Sequence, residues 1–310
     1  MFFIAGGTGF IGRHLVNTFG AAGLRARCLV RSQAKGEICK KAGLDFVAGD
    51  ITDRESLKGK LNSCDVVVDL VGILEETESL GFEKVHVNGT EQLVDEALKA
   101  NVKHFFYQSS LGASPSSWSR YLKTKAYAEE IVRTSGIPYT IFRPSLVVGS
   151  GDGFTSRLEE LITLSPVVPV PGEGKARFQP LYVEDWVKCF IKLFSSPLPV
   201  FHASSPVYEL GGPEHLSFNE ILSQYMEAMG VDKPVVHIPM KMARLGLPLS
   251  TVFKRAAAIL GKSVPSISPA QLQLLNSDNI CDAGVVKRDF GVTPLRYSEA
   301  LRYFVSKATR

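Results

Sequence analysis

A glycine-rich turn near the start of the chain restricts its fold more than any other feature. The turn has the sequence GGTGFIG, follows the apolar run Phe2–Ala5 and precedes an amphipathic segment. Its glycines fit both GxxGxxG and GxGxxG, which allow a tight turn and a close approach of the backbone to a pyrophosphate. Amide groups at a helix start then bind the phosphates, so this context predicts a dinucleotide site. The candidate phosphate-binding residues are Gly6, Thr8, Gly9, Phe10, Ile11 and Gly12.

Short apolar runs alternate with amphipathic segments through the first half of the chain. Strands are predicted at Phe2–Ala5, Arg27–Val30, Asp45–Ala48, Val66–Val71, His104–Gln108 and Tyr139–Phe142, with a further one at Val207–Leu210. Strands that alternate with helices form βαβ units with right-handed crossovers. We therefore predict an α/β fold, a doubly wound parallel Rossmann sheet with a smaller, mostly helical C-terminal substrate domain.

The residues after the second and third predicted strands indicate which dinucleotide is bound. Arg31 and Ser32 stand where an acidic residue would bind the ribose hydroxyls of NAD. A guanidinium can hold a 2′-phosphate with two charge-assisted hydrogen bonds, so NADP (NADPH) is favoured over NAD. Asp50 is predicted to accept a hydrogen bond from the adenine, and Ile51 to pack on its ring. Asp53 has the alternative role of capping the next helix.

The alternation of strands and helices changes after about residue 148. The prediction is an NADP-binding domain over 1–148 and about 179–211, and a substrate or lid domain over 149–178 and 212–310. Ser165–Gly174 contains three prolines and is predicted as a loop, and the chain after about Phe218 is predicted as largely helical. Met240–Leu260 is basic and apolar, which favours a lid over the pocket and leaves a membrane-binding or partner-binding segment as the alternative.

Two YxxxK sequences occur, at Tyr121–Lys125 and at Tyr303–Lys307. Residues four apart share a helix face, so the ammonium favours the phenolate and lowers the tyrosine pKa for proton exchange. Tyr121 opens the helix after the fifth strand, at the carboxyl edge where doubly wound sheets bind ligands. We interpret the C-terminal match as chance.

The fifth predicted strand ends in two serines. Ser110 is the first choice to hydrogen-bond a substrate oxygen beside Tyr121, and Ser109 the second. The alternative for both is turn formation before Gly112.

Several segments now stand together in one order along the chain. They are the glycine turn, Asp50-Ile51, Asn88-Gly89-Thr90, Ser109–Ala113, Tyr121–Lys125 and Phe142–Ser145. In this combination the chain resembles the short-chain dehydrogenase/reductase superfamily, in its extended or atypical branch. Ser119–Leu122 and Leu274–Asn279 are similar to the group that includes the NADPH-binding accessory subunit of respiratory complex I and its bacterial, epimerase/dehydratase-like relatives.

The resemblance implies further site residues. Val71 and Gly72 would line the cofactor, Lys125 would bind the nicotinamide ribose, and Pro144 would border the nicotinamide. Asn88 would stabilise the central helix and sheet.

Three functions follow from these residues and the resemblance. The first is an NADP-dependent oxidoreductase that transfers hydride between the nicotinamide and a carbonyl or hydroxyl substrate, for which a mostly apolar pocket is expected. The second is a non-catalytic NADPH-binding subunit of a larger assembly. The third is a sugar-nucleotide epimerase or dehydratase with bound NAD, against which Arg31 counts.

Composition narrows the partners and the location. A net charge of +4 on 310 residues argues against nucleic-acid binding. Five dispersed cysteines without CxxC argue against a disulfide framework or zinc site, and dispersed histidines against a metal. No apolar run is long enough to span a membrane and no signal peptide is evident. We expect a cytoplasmic protein acting on a small molecule, and leave peripheral membrane association or a larger complex open.

Overall fold

The computed structural model describes residues 1–195, 207–242, 272 and 274–305, which form two compact units. Within the described residues, the first unit comprises Met1–Pro144, Val183–Leu210 and Gly284–Thr293. The second comprises Ser145–Tyr182, Gly211–Ala283 and Pro294–Arg310.

The bounds of the elements are as follows. The strands are β1 (Phe2–Ala5), β2 (Ala26–Val30), β3 (Asp45–Ala48), β4 (Val66–Asp69), β5 (His104–Gln108), β6 (Tyr139–Pro144), β7 (Val147–Val148), β8 (Val168–Pro171), β9 (Arg177–Phe178), β10 (Leu181–Tyr182), β11 (Val207–Leu210), β12 (Leu216–Ser217) and β13 (Val235–Ile238). The helices are α1 (Phe10–Ala21), α2 (Gln33–Lys41), α3 (Arg54–Leu57), α4 (Gly89–Lys99), α5 (Arg120–Thr134), α6 (Gly153–Leu164), α7 (Val183–Ser195), α8 (Phe218–Met229), α9 (Val285–Phe290) and α10 (Tyr297–Leu301). A π-helical turn, Glu83–Asn88, leads into α4.

The first unit is built on a parallel seven-stranded sheet, which confirms the predicted doubly wound fold. The strand order is β11-β6-β5-β4-β1-β2-β3. Strands β4 and β5 are buried along their whole length, as expected for central strands covered by helices on both faces. The order reverses between β1 and β4, and a crevice opens at the carboxyl ends of such a pair. The glycine turn follows β1, and Val71 and Gly72 follow β4.

Aromatic packing fills one part of this core. The ring of Phe106 in β5 packs edge-on against Phe142 and Phe190 at 4.8 Å and against Trp186 at 5.9 Å. Phe290 of α9 packs on Phe142 at 5.5 Å. This contact joins Gly284–Thr293 to the first unit, which differs from the predicted bounds of the second domain.

The second unit contains three small sheets with helices α6, α8 and α10. The pairs are β10 with β7, β12 with β9, and β13 with β8. The predicted Ser165–Gly174 loop is therefore wrong in part, because it contains β8. Val168 and Val170 are fully buried and alternate with half-buried prolines, and a two-stranded edge tolerates proline. Strand β13 likewise interrupts the predicted helical region after Phe218.

Helix α5 begins at Arg120, one residue before the predicted start at Tyr121. Ser119 accepts a hydrogen bond from the amide of Leu122 at the helix N-terminus, and Tyr121 is the second residue of the helix. The predicted lid segment at Met240–Leu260 lies outside the described residues apart from its first three. Lys307 of the second YxxxK lies outside them as well. Within the described residues, no helix is long and apolar enough to cross a membrane.

Candidate functional site

The glycine turn is packed so tightly that side chains would not fit in it. Gly6 adopts a φ of +85°, a conformation that glycine tolerates, and the amide of Gly9 donates to its carbonyl at 2.9 Å. A Cβ on Gly12 would clash with the carbonyl oxygen of Gly6 and lie 2.7 Å from the Cα of Gly7. The start of α1 is thereby held directly against the end of β1.

The N-terminus of α1 presents its backbone amides without a competing group. Gly9 caps the helix with no side-chain hydrogen bond, and the first turn contains no acidic residue. Thr8, Phe10 and Ile11 are half-buried and Gly9 is exposed. A helix N-terminus of this kind attracts a phosphate through its unpaired amides and its dipole. The residues therefore fit the diphosphate of a dinucleotide.

Arg31 and Ser32 follow β2 and are both exposed. Arg31 makes no salt bridge with any described residue, so no such contact competes with a ligand for its guanidinium. Ser32 stands at the N-terminus of α2, and its hydroxyl does not cap the helix. Both side chains can contact a ligand at the end of β2.

In the turn after β3, Asp53 has its predicted role as a helix cap, whereas Ile51 lies elsewhere than predicted. Oδ1 of Asp50 accepts hydrogen bonds from the amide and hydroxyl of Thr52, both at 2.9 Å, while Oδ2 has no such partner among the described residues. Asp53 caps α3, as predicted for its alternative role. Ile51 is only 3% exposed and belongs to the core, where it packs on Gly89. Its side chain therefore supports the turn from beneath, and the predicted contact with the adenine ring is not available to it.

A buried carboxylate shapes the turn after β4. Asp69 accepts from the amide of Val71 at 3.0 Å and from the hydroxyl of Thr90 at 3.1 Å, and burial raises its pKa. Val71 is half-buried and Gly72 exposed. A Cβ on Gly72 would lie 3.8 Å from the Nζ of Lys125. The structure thus brings a predicted cofactor-lining residue next to a predicted catalytic one.

Lys125 projects from α5 to the carboxyl end of β5. Its Nζ donates to the carbonyl of Gln108 at 2.5 Å and lies 4.4 Å from the ring centroid of Tyr107. The side chain is buried, and burial lowers its pKa to about 8, opposed by the charges of Asp69 and Glu129. An ammonium has three donors, so two remain for a ligand.

Tyr121 is half-buried, and Ser110 lies close enough to its hydroxyl to influence its pKa. The prediction that its pKa is lowered is wrong for the coenzyme-free chain: burial raises the pKa, and Ser110 opposes that rise. The physical reason is the position of Lys125, whose ammonium is engaged by Gln108. Sharing a helix face does not bring the charge onto the phenol.

The two candidate serines are in different environments. Ser110 is half-buried next to Tyr121, whereas Ser109 is buried and donates to Glu129 at 2.5 Å. Glu129 also accepts from Arg143 at 2.7 and 2.8 Å and from Arg133 at 2.6 Å. Ser109 is thus part of a buried ion-pair cluster, and Ser110 is the serine that faces the tyrosine.

Pro144 ends β6 beside this group. It is buried, and its carbonyl accepts from the amide of Leu111 at 2.9 Å, which ties the residue after Ser110 to the end of β6. Asn88 differs from its implied role, because it is exposed and its side chain makes no hydrogen bond with the described residues.

Several residues of this region were missed by the sequence analysis. His86, Thr124, Asp69 and Glu129 are buried polar groups with hydrogen-bond partners around Lys125 and Tyr121. Their only sequence signal is a polar residue within an otherwise apolar pattern. Among the described residues, no three metal-ligating side chains are grouped.

The second unit contains a cleft of about 690 Å³. Its lining mixes apolar residues such as Met240 and Leu275 with charged ones. Glu173 and Lys175 form an ion pair at 2.7 Å, and Asp278 binds Arg177 at 2.6 Å.

The lowered pKa of Lys125 predicts a pH dependence of stability. An unfolded lysine has a pKa of about 10.4, so between about pH 8 and 10 the unfolded chain binds more protons and the folded state gains stability as pH rises. The difference in free energy of unfolding between the natural chain and Lys125→Met should increase by up to about 1.4 kcal/mol per pH unit in this range. Urea unfolding at several pH values measures it. Lys123→Met on the same helix is the control, and a difference between the natural chain and Lys125→Met that stays constant over this pH range contradicts the prediction.

Comparison with known proteins identifies an NAD(P)H-binding domain. A family model described as NAD(P)H-binding matches residues 6–157. Among curated proteins, NADH dehydrogenase (ubiquinone) 1 alpha subcomplex subunit 9, mitochondrial, of Arabidopsis thaliana is 27% identical and covers 89% of this chain and 68% of that protein. Ceramide reductase of Caulobacter vibrioides is 28% identical over 76% of this chain and 73% of that protein. The 3 beta-hydroxysteroid dehydrogenase/Delta 5-->4-isomerase of Mycobacterium tuberculosis is 26% identical over 98% of this chain and 90% of that protein.

Solved structures show the same fold. A nucleoside-diphosphate-sugar epimerase from Staphylococcus aureus has a TM-score of 0.74 at 20% identity, covering 97% of this chain and 99% of that one. A UDP-glucuronic acid 4-epimerase from Bacillus cereus has a TM-score of 0.71 at 17% identity, covering 97% and 96%. Together with the glycine turn and the parallel sheet, these findings show an NAD(P)H-binding domain over residues 6–157 and the fold of these epimerases, and they fit the resemblance to the extended short-chain dehydrogenases/reductases.

Proposed function

We propose that the chain is an NADP-dependent oxidoreductase that reduces a carbonyl or oxidises a hydroxyl group, with Tyr121 as the acid or base. The observation that carries the proposal is the grouping of Ser110, Tyr121 and Lys125 within one unit, next to Gly72 and at the sheet edge that follows the glycine turn. Such an edge is where doubly wound sheets bind their ligands.

The coenzyme supplies or accepts a hydride when it is bound. The amides at the start of α1 would hold its diphosphate, Asp50 its adenine, and Arg31 with Ser32 its 2′-phosphate. The two donors of Lys125 not used by Gln108 would hold the nicotinamide ribose, with Val71, Gly72 and Pro144 beside the ring. Each of these groups is at the carboxyl edge of the sheet in the first unit.

The chain's own residues account for the proton. In carbonyl reduction, the phenol of Tyr121 gives its proton to the substrate oxygen, and the hydroxyl of Ser110 donates a hydrogen bond to the same oxygen. A neutral phenol is the form needed for that direction, and burial favours it by raising the pKa of Tyr121. The environment of the coenzyme-free site therefore supports a role as general acid in reduction.

Two relatives support an apolar substrate. Their names, ceramide reductase and 3 beta-hydroxysteroid dehydrogenase/isomerase, refer to a lipid and a steroid. We propose a lipid-like or steroid-like carbonyl or alcohol as the substrate class. A cytoplasmic location and peripheral association with a membrane are consistent proposals for such a substrate.

The choice of NADP over NAD is tested at Arg31. Charge-assisted hydrogen bonds contribute about 1.5–3 kcal/mol each, so Arg31→Ala should weaken NADPH binding about tenfold to a hundredfold and leave NADH binding unchanged. Calorimetric titration with both coenzymes measures the effect. Arg25→Ala is the matched control, because Arg25 is exposed just before the opposite end of the same strand, β2. Equal losses for both coenzymes contradict the assignment of Arg31 to the 2′-phosphate.

The coenzyme itself is the most direct test of the function. We expect the purified chain to bind NADPH, detected as heat on titration and as absorbance near the reduced-nicotinamide band in any retained nucleotide. It should then oxidise NADPH in the presence of an apolar ketone or aldehyde. Absence of heat with either coenzyme rules out the proposal.

A non-catalytic NADPH-binding subunit is the second candidate. Relatives named as subunits of NADH dehydrogenase favour it, and a larger assembly would then be the partner. The raised pKa of Tyr121 is compatible with an idle phenol. Tight NADPH binding without turnover of any carbonyl substrate distinguishes this candidate from the first.

A sugar-nucleotide epimerase or dehydratase is the third. The structural neighbours include a UDP-glucuronic acid 4-epimerase and a dTDP-glucose 4,6-dehydratase. Against it, the ion pairs at Glu173–Lys175 and Arg177–Asp278 balance the charges around the cleft of the second unit, which leaves little positive potential for a diphosphate. Preference for NAD in titration would favour this candidate.

A further inference from the structure

A buried imidazole connects the two segments that flank the proposed site. His86 lies in the π-helical turn before α4 and is fully buried. Its Nε2 lies 3.1 Å from the amide nitrogen of Ile73, and its Nδ1 lies 2.9 Å from the hydroxyl of Thr124. Ile73 follows Gly72 in the chain, and Thr124 is in α5 between Tyr121 and Lys125. The ring thus bridges the turn after β4 and the helix of the tyrosine.

The hydrogen bonds determine which nitrogen carries the proton. The backbone amide of Ile73 can only donate, so Nε2 must accept. The hydroxyl of Thr124 donates to the carbonyl of Tyr121 at 3.0 Å, so its oxygen is left to accept from Nδ1. One direction of donation therefore satisfies the whole chain of bonds: Nδ1–H to Thr124, and Thr124 to Tyr121. The imidazole is neutral and carries its proton on Nδ1.

The surrounding charges keep the ring neutral. Burial lowers the pKa of His86 to about 2, and the charge of Lys125 acts in the same direction. Tyr121 is the other titratable group in contact with the ring. A protonated ring would also direct an N–H at the amide of Ile73, where no acceptor exists.

The ring also contacts the tyrosine directly. The rings of His86 and Tyr121 pack edge-on at 5.6 Å and 79°. Phe82 stacks on His86 at 5.5 Å and packs against Tyr121 at 5.8 Å. The rings of His86 and Phe82 therefore restrict the phenol ring of Tyr121, and the hydrogen bond from Thr124 restricts the backbone of Tyr121.

We propose that His86 is a positioning residue: as a neutral Nδ1–H imidazole it fixes the ring of Tyr121 relative to Gly72 and Ile73. The catalytic meaning of this role rests on the proposed function. A neutral imidazole suits this position because one of its nitrogens accepts from Ile73 while the other donates to Thr124. A side chain that can only donate or only accept could not make both hydrogen bonds.

The protonation state is tested without any turnover. Nitrogen-15 spectra of the histidine-labelled full chain, compared with those of His86→Phe, assign the signals of His86. We expect one neutral ring protonated on Nδ1, unchanged between pH 8 and pH 5. A ring protonated on Nε2, or one that titrates in this range, overturns the proposal.

The positioning role is tested with three variants. His86→Phe keeps a ring but removes both hydrogen bonds, while the amide of His86→Asn can still donate to Thr124. His104→Phe is the matched control, because His104 is also buried and bonded to a threonine (Thr140, 3.1 Å), at the start of β5 and away from the site.

Two readouts distinguish positioning from stability. His86→Phe should lower kcat on the order of tenfold to a hundredfold, since misplacement of a reacting group has effects of this size, and His86→Asn should lose less, with the KM for NADPH little changed in both. The fluorescence of bound NADPH, which needs no turnover, should change in His86→Phe but not in His104→Phe. Unchanged kcat and fluorescence in His86→Phe overturn the proposal. A chain that binds NADPH but never turns over removes the proposed function alone, and the spectra and fluorescence still decide the role of His86.

Discussion

Replacing Tyr121 with phenylalanine is expected to abolish turnover while leaving NADPH binding intact. The substitution removes only the phenolic oxygen, so the ring still packs on His86 and Phe82. The proton for the substrate oxygen then has no donor at that place, and general acid–base groups contribute about 10²–10⁴-fold to rate. We expect a loss of this size in kcat, measured as NADPH oxidation with a panel of apolar ketones, aldehydes and quinones.

Tyr127→Phe provides the control for this experiment. Tyr127 is in the same helix and is 43% exposed, so removal of its hydroxyl should leave turnover unchanged. A Tyr121→Phe variant that retains full turnover contradicts the proposed chemistry. If the natural chain binds NADPH and oxidises it with none of the substrates, the non-catalytic candidate replaces the oxidoreductase.

The parts of the site that could be predicted are those written in short stretches of sequence. The glycine turn can be predicted from neighbouring residues alone, because the strand, the three motif glycines and the helix follow one another along the chain. Tyr121 and Lys125 are four residues apart on one helix. Because α5 follows β5 in the chain, both residues lie at the carboxyl edge of the sheet. The parallel sheet itself follows from the alternation of apolar strands with helices, and the predicted doubly wound fold was confirmed.

The remaining parts depend on contacts between distant residues. His86 meets Ile73 and Thr124 across 13 and 38 positions, which no local pattern indicates. Lys125 was expected to act on Tyr121, but the carbonyl of Gln108, 17 positions away, takes its ammonium. Helix spacing sets which residues share a face, whereas the nearest acceptor decides where a long side chain ends. Ile51 likewise packs in the core against Gly89, which is distant from it in the sequence.

The burial of Lys125 and the raised pKa of Tyr121 favour the same form of the site. A phenol that stays neutral is suited to give a proton, and a lysine with a pKa of about 8 is still largely charged at neutral pH and can bind ribose hydroxyls. Within the proposed function, these two pKa shifts favour the direction of reduction. Oxidation would need the phenol to lose its proton, which its burial opposes.

Replacing Gly12 with alanine is expected to abolish NADPH binding and to destabilise the first unit. The added Cβ would clash with the carbonyl of Gly6 and approach the Cα of Gly7 to 2.7 Å, and both contacts are with backbone that cannot rotate away. Either α1 moves off β1, which displaces the amides that would hold the diphosphate, or the turn opens. Overpacking of this kind costs about 1–3 kcal/mol.

Calorimetric titration with NADPH and urea unfolding measure the two effects of Gly12→Ala. Gly153→Ala is the matched control, since Gly153 also lies at the start of a helix, α6, but a Cβ there would meet no atom within 4 Å. Only the amides at the start of α1 are proposed to hold the diphosphate. NADPH binding at natural affinity in Gly12→Ala would therefore mean that the diphosphate is held elsewhere. A stable variant that has lost only its binding would instead separate the two roles of Gly12, and would show that the position of α1 matters more to the coenzyme than to the fold.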